Sequence, residues 1–159
     1  MSIAMASDWT NPAACNCLAL RQAARHVTQF YDQFLTPTGL RATQYSILAR
    51  LQRNGAMTIN ALAAELVMDR TTLGRNILPL QRDGLIAAGL GKIDRRSKEL
   101  RLTATGSARF RAACKGWREA QARFETALGA KRAKEMRVLL HEVATNQQTA
   151  TEPAAEIGR

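Results

Sequence analysis

Between Asn60 and Gly84 the chain carries two helical stretches separated by little more than Val67-Met68. Helices shorter than ~12–15 residues are marginal alone in water, so both can exist only by packing together on a common core. Asn60 is placed to cap the first, which presents Leu62, Ala63 and Leu66. Asp69 is placed to cap the second, which runs to Arg82-Asp83 and ends at Gly84. At 100° per residue, Leu73, Ile77 and Leu80 of the second stretch share one side, and Thr71 and Arg75 lie nearly opposite. Thr72 and Gly74 flank them. The spacing therefore specifies an inward apolar face and an outward face of hydroxyls and a guanidinium. Pro79 interrupts this helix beyond the outward pair and frees the Arg75 carbonyl, so either a kink or a stop at Leu78 is expected.

The surroundings extend the pattern. Tyr45, Leu48 and Leu51 line a preceding helix that stops at Asn54-Gly55, and Met57-Thr58-Ile59 is long enough only for a strand fragment. After Gly84, Leu85 to Ala88 and Leu100 to Leu102 read as two strands. The loop between them holds Gly89, Gly91 and the run Asp94-Arg95-Arg96-Ser97-Lys98, which makes a β-hairpin with a long basic tip.

Apolar helices stand on either side. From Asn11, a plausible N-cap, through Pro12 to Leu35, a seam of Cys17, Leu20, Ala24, Val27, Tyr31 and Phe34 repeats every three to four residues until Thr36-Pro37-Thr38-Gly39 breaks it. A second seam of Phe110, Cys114, Trp117, Phe124 and Leu128, with the polar Gln121 inside it, ends at Gly129. Met136, Leu139, Leu140 and Val143 form a third. These seams hold more apolar surface than one small unit can cover, which favours pairing of two chains about a two-fold axis. The expected division is an N-terminal dimerisation helix at 12–35, a DNA-binding unit at 40–103, C-terminal dimerisation helices at 104–147, and flexible tails at 1–10 and 148–159.

Charge indicates the partner. Lys and Arg number 23 against 13 Asp and Glu, a net charge of +10, which points to a polyanion, either nucleic acid or an anionic membrane. No apolar run approaches the ~20 residues of a bilayer span, and Met1 to Asp8 lacks the features of a secretory signal. Three Cys build no disulfide framework, so a reducing, cytoplasmic setting is expected. Two capped helices followed by a basic hairpin is the order of a winged helix-turn-helix, whose second helix enters the major groove of double-stranded DNA. Arg reads guanine O6 and N7 through parallel donors, and Thr offers a hydroxyl or a methyl. The expected contacts are Arg70, Thr71, Thr72, Arg75 and Asn76 on the helix, with Lys92, Arg95, Arg96 and Lys98 on the hairpin. An Arg at the tip suits a narrow minor groove, and Asp94 can brace Arg96. The basic unit lacks the aromatic platforms that RNA recognition uses.

The strings Leu66-Val67-Met68-Asp69-Arg70-Thr71-Thr72-Leu73 and Leu80-Gln81-Arg82-Asp83-Gly84-Leu85-Ile86 resemble the recognition helix and first wing strand of MarR-family transcriptional regulators. Asp94-Arg95-Arg96-Ser97-Lys98, with Leu100 and Leu102-Thr103-Ala104-Thr105-Gly106, is similar to the family's wing and next helix start, and Asp94 and Arg96 match its wing pair. The resemblance covers residues 12 to 147; Pro79 is not a general family feature. It implies a mainly α (α+β) winged helix-turn-helix with N- and C-terminal dimerisation helices. The implied function is that of a homodimer, usually a repressor on a near-palindromic operator, often released by a small ligand or an oxidant.

By the same analogy, an effector pocket lies between the first helix, the Tyr45 helix and the Phe110–Phe124 helix, lined by Phe30, Phe34, Tyr45 and Trp117. Arg21 or Arg25 nearby would favour an anionic ligand, so the effector is expected to be anionic or aromatic. Cys15 and Cys17 point about 200° apart on a helix and cannot share a metal or a disulfide while it persists. Cys15, near a helix start where a thiolate is favoured, supports a redox-responsive alternative, although small residues at an interface are the blander explanation. Cys114 is expected to pack between Phe110 and Trp117, and His26 and His141 lack ligand-spaced companions, so no metal site or cofactor is expected. No nucleophile elbow, phosphate loop or paired-carboxylate pattern is present, so no enzymatic activity is expected. A nonspecific architectural DNA-binding protein is the other alternative.

Overall fold

The computed structural model of the chain describes residues 12–91 and 98–145, most of them helical. A 3-10 turn at Pro12–Ala14 precedes α1 (Asn16–Leu35), and another at Thr36–Thr38 leads into α2 (Ala42–Asn54). Then come β1 (Met57–Thr58), α3 (Ile59–Glu65), α4 (Arg70–Arg82), β2 (Ile86–Leu90), β3 (Lys98–Leu102), α5 (Ala104–Leu128) and α6 (Ala130–Thr145). The strands form one antiparallel sheet in the order β1-β3-β2. Its register sets Met57 against Leu100, Ile86 against Leu102 and Leu90 against Lys98. Leu48, Leu51, Leu62, Leu73, Ile77, Leu80, Leu85 and Leu100 are buried in one cluster that joins α2, α3, α4 and the sheet and reaches Ala113 of α5. This is the winged helix-turn-helix, with α3 and α4 as its two short helices and β2–β3 as the wing strands.

Several local expectations shift by a few residues, each for a physical reason. α1 is capped by Cys15, whose Sγ accepts the Leu18 amide at 3.4 Å. Pro12–Ala14 tightens instead into a 3-10 turn, with the Cys15 amide donating to the Pro12 carbonyl at 3.2 Å, so the α-helix does not begin at Pro12. Asn11, the expected cap, lies outside the described residues, as do the tails 1–10 and 148–159. α3 is capped by Thr58, which accepts the Ala61 amide at 3.1 Å, and not by Asn60. Thr58 is already extended because it ends β1, and extended backbone is what a cap requires. Pairing with β3 carries β2 through Gly89 and Leu90, which belong to the strand and not to the loop. α4 runs through Pro79 to Arg82, since Ile77 and Leu80 on either side of the proline are both held in the core.

The outer helices are tied by specific contacts. Tyr31 donates its hydroxyl proton to Gln121 Oε1 at 2.6 Å, and Gln121 Nε2 donates to Glu125 Oε1 at 2.7 Å. Arg137 donates to the same Glu125 oxygen at 2.9 Å, so a polar chain inside an apolar seam connects α1, α5 and α6. α1 and α5 come close at Gly116, where a Cβ would collide with the Phe34 carbonyl oxygen. Gly116→Ala should therefore destabilise the protein by about 1–3 kcal/mol in urea unfolding, despite alanine's better helix propensity. A midpoint equal to or above that of the parent would show that the two helices do not meet so closely.

Candidate nucleic-acid interface

The presentation of α4 begins in the turn before it. Val67 adopts φ 51°, a left-handed conformation that costs a β-branched residue roughly 1–3 kcal/mol. The turn is closed by the Met68 amide donating to the Ala63 carbonyl at 2.9 Å. Asp69 then caps α4 with both oxygens: Oδ1 accepts the Thr72 amide at 2.8 Å and Oδ2 accepts the Thr72 hydroxyl at 2.6 Å. These hydrogen bonds, the hydroxyl's first, hold the Asp69 carboxyl below the usual carboxylate range.

Beyond the cap, Leu73, Ile77 and Leu80 are buried. Arg70, Thr71, Thr72 and Arg75 are exposed, and Gly74 and Asn76 are half-buried. Neither Arg70 nor Arg75 makes an ion pair among the described residues. The Thr72 hydroxyl proton is engaged by Asp69, which leaves its methyl and its acceptor capacity facing outward. Asn76 Nδ2 donates one proton to the Thr72 carbonyl at 2.9 Å, which leaves its second N–H and its carbonyl oxygen for an outside partner. Lys98 opens β3 and is exposed. Lys92, Asp94, Arg95 and Arg96 lie outside the described residues.

Two features of this surface escaped sequence reasoning. Leu78 is 65% exposed on α4, seven residues from Thr71 and therefore on nearly the same face. An open trough of about 720 Å³ runs between α4, the start of α3 and β3, bordered by Asn60, Arg70, Gly74, Leu78 and Lys98. The helical spacing of Arg70, Gly74 and Leu78 predicts one shared side, but β3 as the opposite wall depends on long-range pairing.

The four aromatic residues expected around an effector do not converge on one cavity. Tyr45 lies parallel to Trp117 (ring centroids 6.0 Å apart, 12° between planes), and both border a cavity of about 200 Å³ between α1, α2 and α5. Burial, and then the contact of its hydroxyl with Cys114 Sγ at 3.7 Å, pushes the Tyr45 pKa well above its ordinary value. Phe30 and Phe34 meet edge to face at 5.1 Å on an adjacent side of α1. Phe30 borders a separate groove with His26, Arg123 and Phe124, and the Arg123 guanidinium sits 5.2 Å from the Phe34 ring centre. Arg21 and Arg25 are exposed. Cys15 and Cys17 are exposed free thiols and Cys114 is a partly buried one. No group of three or more potential metal ligands forms among the described residues, and no helix among them is long and apolar enough to cross a membrane.

The Asp69 cap makes a pH prediction with a definite sign. Its folded pKa lies below the unfolded value, so its stabilisation is complete above the ordinary Asp range and is lost as pH falls through the folded pKa. Asp69→Asn keeps an acceptor for the Thr72 amide but does not titrate. Unfolding of this variant followed across acid pH should therefore fall less steeply than that of the parent. Parallel curves would exclude the cap as a source of acid sensitivity.

Comparison with known proteins agrees with this architecture. A model described as the MarR family matches residues 40–98. The M. tuberculosis transcriptional regulator MosR, solved in complex with DNA, is 35% identical, with 87% of this chain and 99% of that chain covered and a TM-score of 0.77. The transcriptional repressor CouR, solved on a 23-mer DNA duplex, is 25% identical over 83% of this chain and 94% of its own, with a TM-score of 0.75. A structure of CouR from Rhodococcus jostii RHA1 bound to p-coumaroyl-CoA matches at 23% identity, 84% and 94% coverage and a TM-score of 0.72, a likeness of fold. No match is found among curated proteins. The chain, with a buried-face recognition helix, a basic surface beside it and near-complete coverage of MosR, belongs to the MarR family of DNA-binding transcriptional regulators.

Proposed function

We propose that the protein is a sequence-specific regulator, acting in the cytoplasm as a homodimer on a near-palindromic operator, usually to repress, and released by a small aromatic or anionic molecule. The observation that carries this reading is the outward face of α4, where Arg70 and Arg75 stand exposed, without ion pairs among the described residues, beside Thr71. In this reading residues 40–103 bind DNA, and the helices at 12–35 and 104–147 pair the two copies. Thr72, Asn76 and Lys98 contribute from the described surface, and Lys92, Arg95 and Arg96 from the hairpin tip. Pairing is supported by the apolar side chains left uncovered on α1 and α6, among them Leu20, Val138, Leu139 and Val143. Burial at ~25 cal/mol per Å² makes their mutual cover favourable, and a two-fold axis would set two copies of α4 about 34 Å apart, one turn of B-DNA. Release by an aromatic molecule is supported by the Tyr45–Trp117 cavity at the junction of α1, α2 and α5, and by the ligand-bound structure of CouR.

A second reading, oxidant-responsive release, is favoured by Cys15, whose exposed sulfur sits at the start of α1 and accepts the Leu18 amide. If it is right, peroxide should weaken DNA binding by the parent and leave Cys15→Ser unaffected.

Selection of bound fragments from a random-sequence duplex pool tests the main reading. The selected duplex should be preferred over bulk DNA by ~10³ or more at physiological salt, whereas an architectural protein would show no such preference. Arg75→Ala should weaken that binding by about 1–3 kcal/mol and relax the preference at one base position. Replacing Arg95 and Arg96 by Ala should flatten the salt dependence, by about one in slope for each phosphate no longer neutralised. Sedimentation should report a dimer, and a monomer at micromolar concentration would refute the pairing.

A further inference from the structure

Gly74 occupies the interior of α4, a position where glycine is the poorest ordinary residue for helix formation. Its backbone does not require glycine, since the glycines at positive φ are Gly39, Gly55, Gly84 and Gly129. Nor does packing against other described residues require it, because a Cβ built at Gly74 meets none of their atoms within 4 Å outside its own helix backbone. Gly106 and Gly116 are different, since a Cβ at either would strike backbone of a neighbouring element. Nothing among the described residues therefore accounts for the missing side chain. The space it leaves opens into the trough between α4 and the sheet, where Arg70 and Lys98 supply exposed positive charge. Neither of these makes an ion pair among the described residues.

The geometry of duplex DNA identifies what fits there. A helix in the major groove and a hairpin reaching the adjoining minor groove straddle the one sugar–phosphate strand that divides the two grooves. Here α4 forms one wall of the trough and β3, at the base of the hairpin, the other. We propose that this strand seats in the trough against the bare backbone at Gly74, with Arg70 and Lys98 on its phosphates. The glycine is then a requirement of the DNA and not of the fold. The inference rests on the reading of α4 as the groove-entering helix, and the test below separates the two.

Gly74→Ala should raise the thermal midpoint by about 2–4 °C, because alanine propagates a helix better than glycine. The same variant should bind the duplex selected from the random pool roughly tenfold more weakly or worse, as an overpacked contact demands. Arg70→Ala should reduce the salt slope of binding by about one. If Gly74→Ala binds as tightly as the parent while Arg75→Ala does not, the seat at Gly74 is wrong and the recognition helix stands. If neither variant loses affinity, the reading of α4 itself fails and takes the seat with it. A lowered thermal midpoint in Gly74→Ala would show that the fold needs the glycine, and would also overturn the proposal.

Discussion

Leu73, Ile77 and Leu80 hold α4 against α2, α3 and the sheet, and the outward aim of Thr71 and Arg75 follows from that attachment. A helix of this length has little stability of its own, so its rotation about its axis is decided by which side chains find cover. Removing a buried leucine or isoleucine to alanine typically costs about 2–5 kcal/mol, more than any contact on the exposed side could return. The inward triplet therefore sets which face points outward, and the groups on that face are free to be polar and even absent, as at Gly74. Pro79 persists under the same constraint: the residues on both sides of it are anchored, so losing one backbone bond does not end the helix.

Cover is uneven over the rest of the chain. The winged unit buries most of its large apolar residues and leaves Val67, Leu78 and Leu90 exposed, while Leu20 on α1 and Val138, Leu139 and Val143 on α6 stay exposed in the single chain. Isolated exposed apolar residues are ordinary, but repeated spacing along helices that flank a self-sufficient unit is not. Within the chain these helices are joined by packing, as of Phe30 and Tyr31 on Phe124, and by the polar Tyr31–Gln121–Glu125–Arg137 chain across α1, α5 and α6. The hydrogen bond from Gln121, and then that from Arg137, keep the Glu125 carboxyl below the usual carboxylate range.

The helix-turn-helix was legible in the sequence because its determinants are local. Asp69 at the cap, the inward spacing of Leu73, Ile77 and Leu80, and the stop at Gly84 each act within a few residues of where they are written. What was illegible depends on distant chain. The role of Thr58 as a cap comes from its place in β1, which exists only through pairing with Glu99 and Leu100 of β3. The extension of β2 over Gly89 and Leu90 has the same origin. The aromatic quartet separates because the roll of α1 on α5 decides which side of α1 meets Tyr45 and Trp117. The close approach of Gly116 to the Phe34 carbonyl is part of that packing, a meeting of residues far apart in the chain.

The junction at Thr103 shows how the two halves communicate. Its hydroxyl donates to the Gly84 carbonyl at 2.6 Å and accepts the Gly106 amide at 2.9 Å, while its own amide donates to the Leu85 carbonyl at 3.1 Å. One residue thus joins the end of α4, the approach to β2 and the start of α5, and Gly106 is packed too closely on Leu85 for any side chain to fit. From this joint α5 continues as a single helix of 25 residues, about 37 Å at 1.5 Å per residue, to the turn at Gly129. α5 is therefore one unbroken helix that runs from the joint just after α4 to its contacts with α1 and α6.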